Sequence, residues 1–253
     1  MDLRYEFYES IDSTNDEIKR RIDDAATPLK EGLVISAGLQ SAGRGRSGHT
    51  WSSPAGSSVA TSLLIRPDGV DQQVIPLITI HAAVAVCRLM DSLIPSAARI
   101  KWPNDVLLNN KKVSGILVER ILSHDESYII IGIGVNVSRG SYPPELSDHA
   151  VSIEEAGGLS PSHDSIIRGI WERFDELYGS FRVAQDLSAV RLYYNDHLIN
   201  LGRRVIVKDP RGEYEAVARS IDDTGRLEIE TDKGEHKFID SGEVSVRGID
   251  GYV

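Results

Sequence analysis

A chain of 253 residues with 41% hydrophobic and 26% charged residues has the composition of an ordinary soluble globular protein, with room for one sizeable domain and one small domain. Acidic residues outnumber basic ones by 38 to 28, and the net charge of −10 argues against nucleic acid as the main partner, because binding to phosphates depends on Lys and Arg. The single cysteine, Cys87, excludes an internal disulfide. No apolar stretch is long enough to cross a bilayer, and the first residues do not have the form of a signal peptide, so we expect a cytoplasmic protein without a membrane partner.

Strand and helix patterns alternate through the first 200 residues. Alternating apolar residues predict a strand over 5–9, and a capping-box pattern at 14–17 predicts a helix over 14–23. Further strands are predicted over 33–37 and 59–65, followed by a helix over 73–93. A β-rich block predicts strands over 100–108, 112–121 and 128–137, with Asn109 and Asn110 as a hairpin turn between the first two. Helices over 165–181 and 187–199 end this part of the chain.

Short strands replace helices after residue 200. The predicted strands are 205–208, 214–220, 227–231, 236–239 and 244–246, each bounded by turn residues, and five strands in about fifty residues suggest a small barrel. The boundary is placed near Asn200, which gives domains over 1–200 and 201–253. The order of elements predicts an α/β (α+β) fold with a central mixed β-sheet flanked by helices.

The loop of residues 36–54, here called the glycine loop, is rich in groups that bind anions. Its glycines let an anion approach backbone N–H groups, and Arg44 and Arg46 add two charged guanidinium groups that suit a carboxylate or a phosphate. Trp51 offers an aromatic face to a purine. The loop also matches a dinucleotide fingerprint, but a strand follows it where that motif requires a helix. It is therefore interpreted as an anion and nucleotide clamp between two strands.

The strand predicted over 129–137 has two different faces. Five branched apolar residues alternate along one face, which must be core, and the other face presents Gly132, Gly134 and Asn136. Interior glycines weaken a strand and commonly mark a place where another group comes close to the backbone. The face is interpreted as a ligand floor; the alternative is a helix or strand packed tightly against it.

The hairpin around residue 110 carries two adjacent lysines. Strand alternation sends Lys111 and Lys112 to opposite faces, so at most one of them points into the sheet interior, where Asp105 is close enough across the hairpin to pair with it. The alternative is a hairpin tip with two solvated lysines. The seven histidines show no metal-ligand spacing, so no metal held by protein side chains alone is predicted.

In combination and in order, several segments resemble the biotin–protein ligases over essentially the whole chain. They are Asp12-Ser-Thr-Asn15, Gln40 to Gly48 with Trp51, Lys101-Trp-Pro-Asn-Asp105, Lys112-Val-Ser-Gly115 to Glu119, Gly132-Ile-Gly-Val-Asn136 and Gly242-Glu-Val-Ser245. The resemblance implies a catalytic domain like that of class II aminoacyl-tRNA synthetases and a C-terminal SH3-like barrel. It also implies a two-step reaction: biotin and Mg-ATP form biotinyl-adenylate and pyrophosphate, and a lysine of a biotin carboxyl carrier protein then takes the biotinyl group and releases AMP.

The resemblance also implies roles for individual residues. Biotin contacts are implied for Ser13, Thr14, Asn15, Gln40, Arg44, Gly45, Arg46, Lys112, Gly115, Gly132 and Gly134. ATP contacts are implied for Arg46, Trp51, Asn104, Lys112 and Asn136, with Asn136 near Mg²⁺. Lys112 and Arg44 are the expected catalytic cations, because a carboxylate meeting a polyphosphate concentrates negative charge. Asp105 is the candidate to orient the incoming lysine or accept its proton.

Two departures from the family pattern affect these expectations. His49 stands where the loop usually has arginine, so nucleotide contacts at that end are expected to be weaker or pH-sensitive. The chain begins directly at the catalytic domain with no winged-helix segment, so a repressor role is expected to be absent. A lipoate–protein ligase and a non-catalytic biotin or nucleotide sensor remain as alternatives. The sequence leaves a homodimer open.

Overall fold

The computed structural model describes residues 1–209, 212–241 and 245–248, which form two β-sheets and five α-helices. The first sheet has seven strands in the order β1-β2-β3-β7-β6-β5-β4, with only β1 and β2 parallel. Its strands are β1 (Arg4–Tyr8), β2 (Leu33–Ala37), β3 (Ser58–Ile65), β4 (Ala98–Lys101), β5 (Asp105–Leu108), β6 (Lys111–Ser123) and β7 (Glu126–Asn136). The helices are α1 (Thr14–Asp24), α2 (Leu77–Leu93), α3 (Ile153–Gly157), α4 (His163–Ala184) and α5 (Arg191–His197). The predicted mixed sheet flanked by helices is confirmed.

Helices cover both faces of the large sheet. On one face α2 and α4 bury a large apolar cluster that includes the inward row of β7, Ile129, Ile131, Ile133 and Val135. On the other face Ile18 and Ile22 of α1 pack on residues of β2, β3 and β7. Because α1 covers only part of its face, the remainder is left for the glycine loop and the site beneath it.

Some predicted elements differ from those observed. Residues 100–108 form two strands, because Pro103 has no N–H to continue a ladder and the chain reverses through Trp102-Pro103-Asn104, so that β4 and β5 pair antiparallel. The fifth helix begins at Arg191, four residues later than predicted, and the short α3 was missed. The Asn109-Asn110 turn is confirmed, with φ of 51° and 62°.

The second sheet follows the helices. Its antiparallel strands lie in the order β11-β10-β9-β8-β12, and they are β8 (Arg204–Asp209), β9 (Gly212–Ile221), β10 (Leu227–Thr231), β11 (His236–Ile239) and β12 (Ser245–Gly248). Within the described ranges no ladder joins β11 to β12, so the predicted barrel is observed as a five-stranded sheet. Val244 of the predicted last strand lies outside the described residues. The likeness to class II synthetases stays a prediction.

The length and polarity of the helices are incompatible with a membrane span. In the described part of the chain, no helix is both long enough and apolar enough to cross a bilayer.

Candidate functional site

The floor of the candidate site is a patch of small residues on three neighbouring strands. Ala60 of β3, Gly134 of β7 and Gly115 of β6 stand side by side in register. The next row on the same face contains Ser62 and Gly132. Because the sheet lacks bulky side chains at this point, a cavity that is open to solvent lies above it.

Two side chains lie directly on the floor glycines. A Cβ added to Gly134 would collide with the ring of Trp51, and one added to Gly132 would collide with the amide of Asn15 in the first turn of α1. Helix α1 therefore packs on Gly132, as the alternative interpretation expected, and Gly134 supports an aromatic side chain of the glycine loop. The interpretation of this face as a ligand floor stays a prediction. The absence of side chains on the strand is what lets Trp51 lie flat against it.

Lys112 lies at one end of the cavity and is paired as predicted. Its Nζ lies 2.7 Å from Asp105 Oδ1 and 5.9 Å from the centre of the Trp51 ring. Lys111, on the opposite face, donates to the carbonyl of Ser147 at the surface. The prediction that only one of the two lysines points inward is confirmed, and that lysine is Lys112.

Arg46 also lines the cavity, and its hydrogen-bond partners among the described residues are neutral oxygen atoms. Its guanidinium donates to Asn104 Oδ1 at 2.9 Å and to the carbonyl of Ser241 at 2.5 Å. Burial lowers the pKa of Arg46, although attraction by Asp105 opposes the shift. A partly desolvated cation held by neutral acceptors is suited to receive an anion.

Arg44 points the other way, towards α1 and β6. Its Nη2 lies 2.7 Å from Asp16 Oδ1 and 3.0 Å from Glu119 Oε2. The two loop arginines therefore diverge across the cavity. Arg46 remains available to an anionic ligand, whereas the charge of Arg44 is balanced by carboxylates of the chain itself.

The opposite end of the cavity is lined by uncharged hydrogen-bonding groups. The backbone N–H and the hydroxyl of Thr14 both donate to Gln40 Oε1, at 2.8 and 3.0 Å. Ser62 donates to the Thr14 hydroxyl at 2.7 Å. Ser13, rather than Thr14, is the N-cap of α1 and accepts from the N–H of Asp16. A polar, neutral ring at this end would meet donors and acceptors, and its carboxylate tail would point towards Lys112 and Arg46.

Most of the predicted site residues line this one cavity. They are Ser13, Thr14, Asn15, Gln40, Arg44, Gly45, Arg46, Trp51, Asn104, Lys112, Gly115, Gly132 and Gly134. The sequence reasoning missed Ala60, Ile116, Leu117 and Ile133, which also line it. The alternation of small residues along β3, with Ser58, Ala60 and Ser62 on one face, was the available signal for Ala60.

Asp105 and Asn136 are not among the residues that line the cavity. Asp105 stands behind Lys112 as its ion-pair partner. Asn136 is 4% exposed, and its Nδ2 donates to the backbone carbonyls of Lys112 and Val151 at 3.4 and 3.3 Å. Its amide ties β7 to β6 and to the segment before α3, because strand alternation places it where those backbones pass. A direct contact of either residue with ligand stays a prediction.

The residues that line the cavity offer no carboxylate to a metal ion. Mg²⁺ prefers carboxylates, phosphates and water. The donor set fits a Mg²⁺ ion held mainly by substrate phosphates, and the placement of Asn136 near Mg²⁺ stays a prediction. The lining does not fit an ion held by protein side chains alone.

A second cluster of titratable groups lies between α2 and α5, away from the cavity. The carboxylate of Asp91 meets His197 Nε2 and the Tyr193 hydroxyl, each at 2.9 Å, and buried Cys87 is adjacent. Burial raises the pKa of Cys87 to about 12, so it remains a thiol. The side chains hydrogen-bond one another and join the two helices.

Comparisons with known proteins agree with this geometry. Residues 7–136 match the model of the biotin/lipoate A/B protein ligase family, and residues 201–247 match the biotin protein ligase C-terminal domain. The chain is 33% identical to the bifunctional ligase/repressor BirA of Bacillus spizizenii, over 91% of this chain and 71% of that protein. It is 31% identical to the biotin–[acetyl-CoA-carboxylase] ligase of Mycobacterium tuberculosis, over 85% of this chain and 79% of that protein.

Solved structures show the same fold. The biotin protein ligase of Aquifex aeolicus, in complex with biotin and ATP, superposes with a TM-score of 0.83 at 26% identity, covering 97% of this chain and 99% of that one. The matched segments include every strand that forms the cavity floor. This chain belongs to the biotin/lipoate A/B protein ligase family.

Proposed function

We propose that this protein activates biotin with ATP and transfers it to a lysine of a biotin carboxyl carrier protein. The observation that carries the proposal is the two-ended cavity: neutral hydrogen-bonding groups at Thr14 and Gln40, two cations at Lys112 and Arg46, and a glycine floor between them. This arrangement fits a ligand with a polar ring at one end and a carboxylate at the other. The named relatives include biotin ligases, and the Aquifex structure contains biotin and ATP.

In the first step, a carboxylate oxygen of biotin attacks the α-phosphorus of ATP. A carbon–oxygen–phosphorus linkage forms as the bond to pyrophosphate breaks. Lys112 and Arg46 would neutralise the charge that builds up between the two anions, which is electrostatic catalysis with little covalent chemistry by the protein. Mg²⁺ carried by the phosphates would withdraw charge from the leaving pyrophosphate.

In the second step, the unprotonated amine of the carrier lysine attacks the acyl carbon. The bond between the acyl carbon and the AMP oxygen breaks as the amide forms, AMP leaves with the bonding electrons, and the proton lost by the amine passes to water or to a carboxylate. Asp105 lies next to Lys112 and, as its ion-pair partner, holds it in place. It would take part in the proton transfer only if Lys112 moved aside to the adenylate phosphate. The glycine loop would shield the mixed anhydride from water until the carrier arrives.

The test is exchange of labelled pyrophosphate into ATP, measured with biotin and with lipoate. Biotin-dependent exchange without lipoate-dependent exchange is the expected result. Equal exchange with both acids would assign the chain to the lipoate branch of the family. Biotin binding without exchange would instead indicate a sensor. Transfer is then followed as mass addition to a purified carrier domain, with a variant of that domain lacking its target lysine as the control.

A further inference from the structure

Glu119 lies on the cavity side of β6, beyond the floor. It is two residues past Leu117 and four past Gly115, so strand alternation places all three side chains on one face of the sheet. Leu117 and Gly115 line the cavity, but Glu119 does not. The implied biotin contacts, ATP contacts and catalytic roles do not include it.

Glu119 joins two separate segments that form the cavity wall. It accepts from Asn15 Nδ2 at 2.6 Å and from Lys19 Nζ at 2.9 Å, both on α1. It also accepts from Arg44 Nη2 of the glycine loop at 3.0 Å. A single carboxylate therefore holds both the first turns of α1 and the glycine loop, although Glu119 is 75 residues from Arg44 and 104 residues from Asn15 along the chain.

The charge of Glu119 is maintained in a partly buried position. Burial alone would raise its pKa, but hydrogen bonds from Asn15 and Lys19, together with the charges of Lys19 and Arg44, hold the pKa below its ordinary value. Its side chain is 20% exposed. An ion pair in such a position is screened less by solvent than one on the open surface, and a network of several charges costs less side-chain entropy for each bond formed.

The glycine loop is thereby fastened on both sides of the cavity. Arg44 reaches Asp16 and Glu119 on one side, and Arg46 reaches Asn104 and Ser241 on the other. Trp51, between the floor and solvent, belongs to the same loop. The loop opens fully only when the contacts of at least one of the two arginines break, so these contacts oppose the release of a ligand that lies between the floor and the loop.

We propose that Glu119 is a positioning residue that sets how long the acyl-adenylate stays bound, by holding Arg44 of the glycine loop against Asn15 of α1. This inference rests on the proposed function, because the retained species is the product of its first step. It assigns Arg44 to loop closure, whereas Arg46 and Lys112 face the reacting anions. Asp16 contributes a second carboxylate to Arg44 but has no contact with Asn15 among the described hydrogen bonds.

The test compares Glu119→Gln with Glu17→Gln. Glu17 is a matched control: its side chain is 17% exposed and pairs with two arginines, Arg20 and Arg21, but it does not contact the loop. Each variant forms the adenylate in a single turnover, and unlabelled biotin and ATP are then added to trap released enzyme. Glu119→Gln is expected to release biotinyl-adenylate roughly tenfold faster than the unmodified protein, the factor that corresponds to about 1.4 kcal/mol. Glu17→Gln is expected to release it at the unmodified rate.

Hydrogen exchange gives a second readout that does not depend on catalysis. With neither ligand nor ATP, Glu119→Gln is expected to exchange faster at residues 43–50 than Glu17→Gln, with equal exchange in α4. If the unmodified protein forms no adenylate, the proposed function fails while this comparison still tests Glu119. Equal release and equal loop exchange in the two variants would overturn the assignment. Faster exchange in α4 as well as in the loop would also overturn it, since that result means general loss of stability.

Discussion

Lys112 is the residue whose charge the proposed chemistry needs most. Its Nζ contacts Asp105 and faces the Trp51 ring, so it is already oriented before a substrate arrives. Lys112→Ala is expected to lower the rate of biotin-dependent pyrophosphate exchange by roughly a hundredfold or more, equivalent to about 3 kcal/mol, because the charge acts mainly in the transition state.

Lys111→Ala serves as the control for this variant. Lys111 donates to a backbone carbonyl at the surface, so its loss is expected to leave the exchange rate within about twofold, the scale of surface contacts. Biotin affinity and the unfolding temperature are measured for both variants to separate loss of chemistry from loss of structure. An unchanged exchange rate in Lys112→Ala would show that the chemistry uses another cation.

His81 is a buried histidine that makes the fold sensitive to acid. Its Nδ1 donates to the carbonyl of Leu77 at 2.9 Å, its ring packs 4.7 Å from Phe181, and its Nε2 has no hydrogen-bond partner in the described residues. Burial lowers the pKa of His81 to about 4. Between pH 6.5 and 4 the unfolded chain therefore binds the proton more tightly than the folded one.

The contribution of neutral His81 to the free energy of unfolding is fully present above pH 6.5 and is lost as the pH falls towards 4. The loss attributable to His81 is expected to reach about 3 kcal/mol, from 1.36 kcal/mol for each pH unit. The measurement is urea unfolding at several pH values, in which His81→Leu should show a shallower decline over this range. His124→Asn, at an exposed turn with φ of 52°, should decline as steeply as the unmodified protein. Parallel curves for all three proteins would contradict the burial argument.

At the scale of an element, β7 makes room for Trp51 because Gly134 has no side chain. A Cβ on Gly134 would collide with the Trp51 ring, so Gly134→Ala must push the indole away from the floor. We expect the KM for ATP to rise by roughly tenfold or more, since stacking on an aromatic ring is worth about 1–3 kcal/mol. The fluorescence of the three tryptophans is expected to change as well.

Gly179→Ala in α4 is the matched control. No heavy atom lies within 4 Å of its added Cβ, so alanine is expected to stabilise the helix by about 0.5–1 kcal/mol and to leave KM unchanged. Gly134→Ala with an unchanged KM for ATP would remove Trp51 from the nucleotide site. That result would not affect the predictions for Lys112 and Glu119.

At the scale of the whole molecule, the proposed domains 1–200 and 201–253 share one apolar core. Val205, Ala216 and Leu227 of the second sheet belong to the same buried cluster as α2 and α4. Trp102 Nε1 donates to the carbonyl of Gly225 at 3.1 Å, and Asn195 Oδ1 accepts from the N–H of Ile221 at 2.9 Å. Neither part buries its apolar surface without the other.

We therefore expect one calorimetric transition for the whole chain, with equal calorimetric and van't Hoff enthalpies. Trp102→Phe removes the hydrogen bond to Gly225. It is expected to lower the free energy of unfolding by about 1 kcal/mol, the usual value of one hydrogen bond, so that the whole transition moves to lower temperature. Two separated transitions, or a shift of only part of the heat, would show that the domains unfold independently.

The accuracy of prediction from the sequence depended on how far apart along the chain the interacting residues lie. Elements with a strong local period, such as β7 and α4, were predicted within a few residues, because alternation and helical spacing are properties of neighbouring residues. The split of residues 100–108 was missed, because the strand pattern outweighed the effect of Pro103. The anion-binding loop was predicted because glycine, arginine and tryptophan in one loop admit few structural explanations, whereas most other site residues were implied by the resemblance to the biotin–protein ligases.

The sequence by itself determined the family, the central mixed sheet and most of the residues that line the cavity. Only the tertiary structure decided that Arg44 pairs with carboxylates and Arg46 with neutral oxygen atoms, because the two arginines are two residues apart and chemically identical. Their difference comes from Asp16, Glu119, Asn104 and Ser241, which lie 28 to 195 residues away along the chain. Electrostatic contacts act through space, so the partner of a charge is determined only once the fold has brought distant segments together.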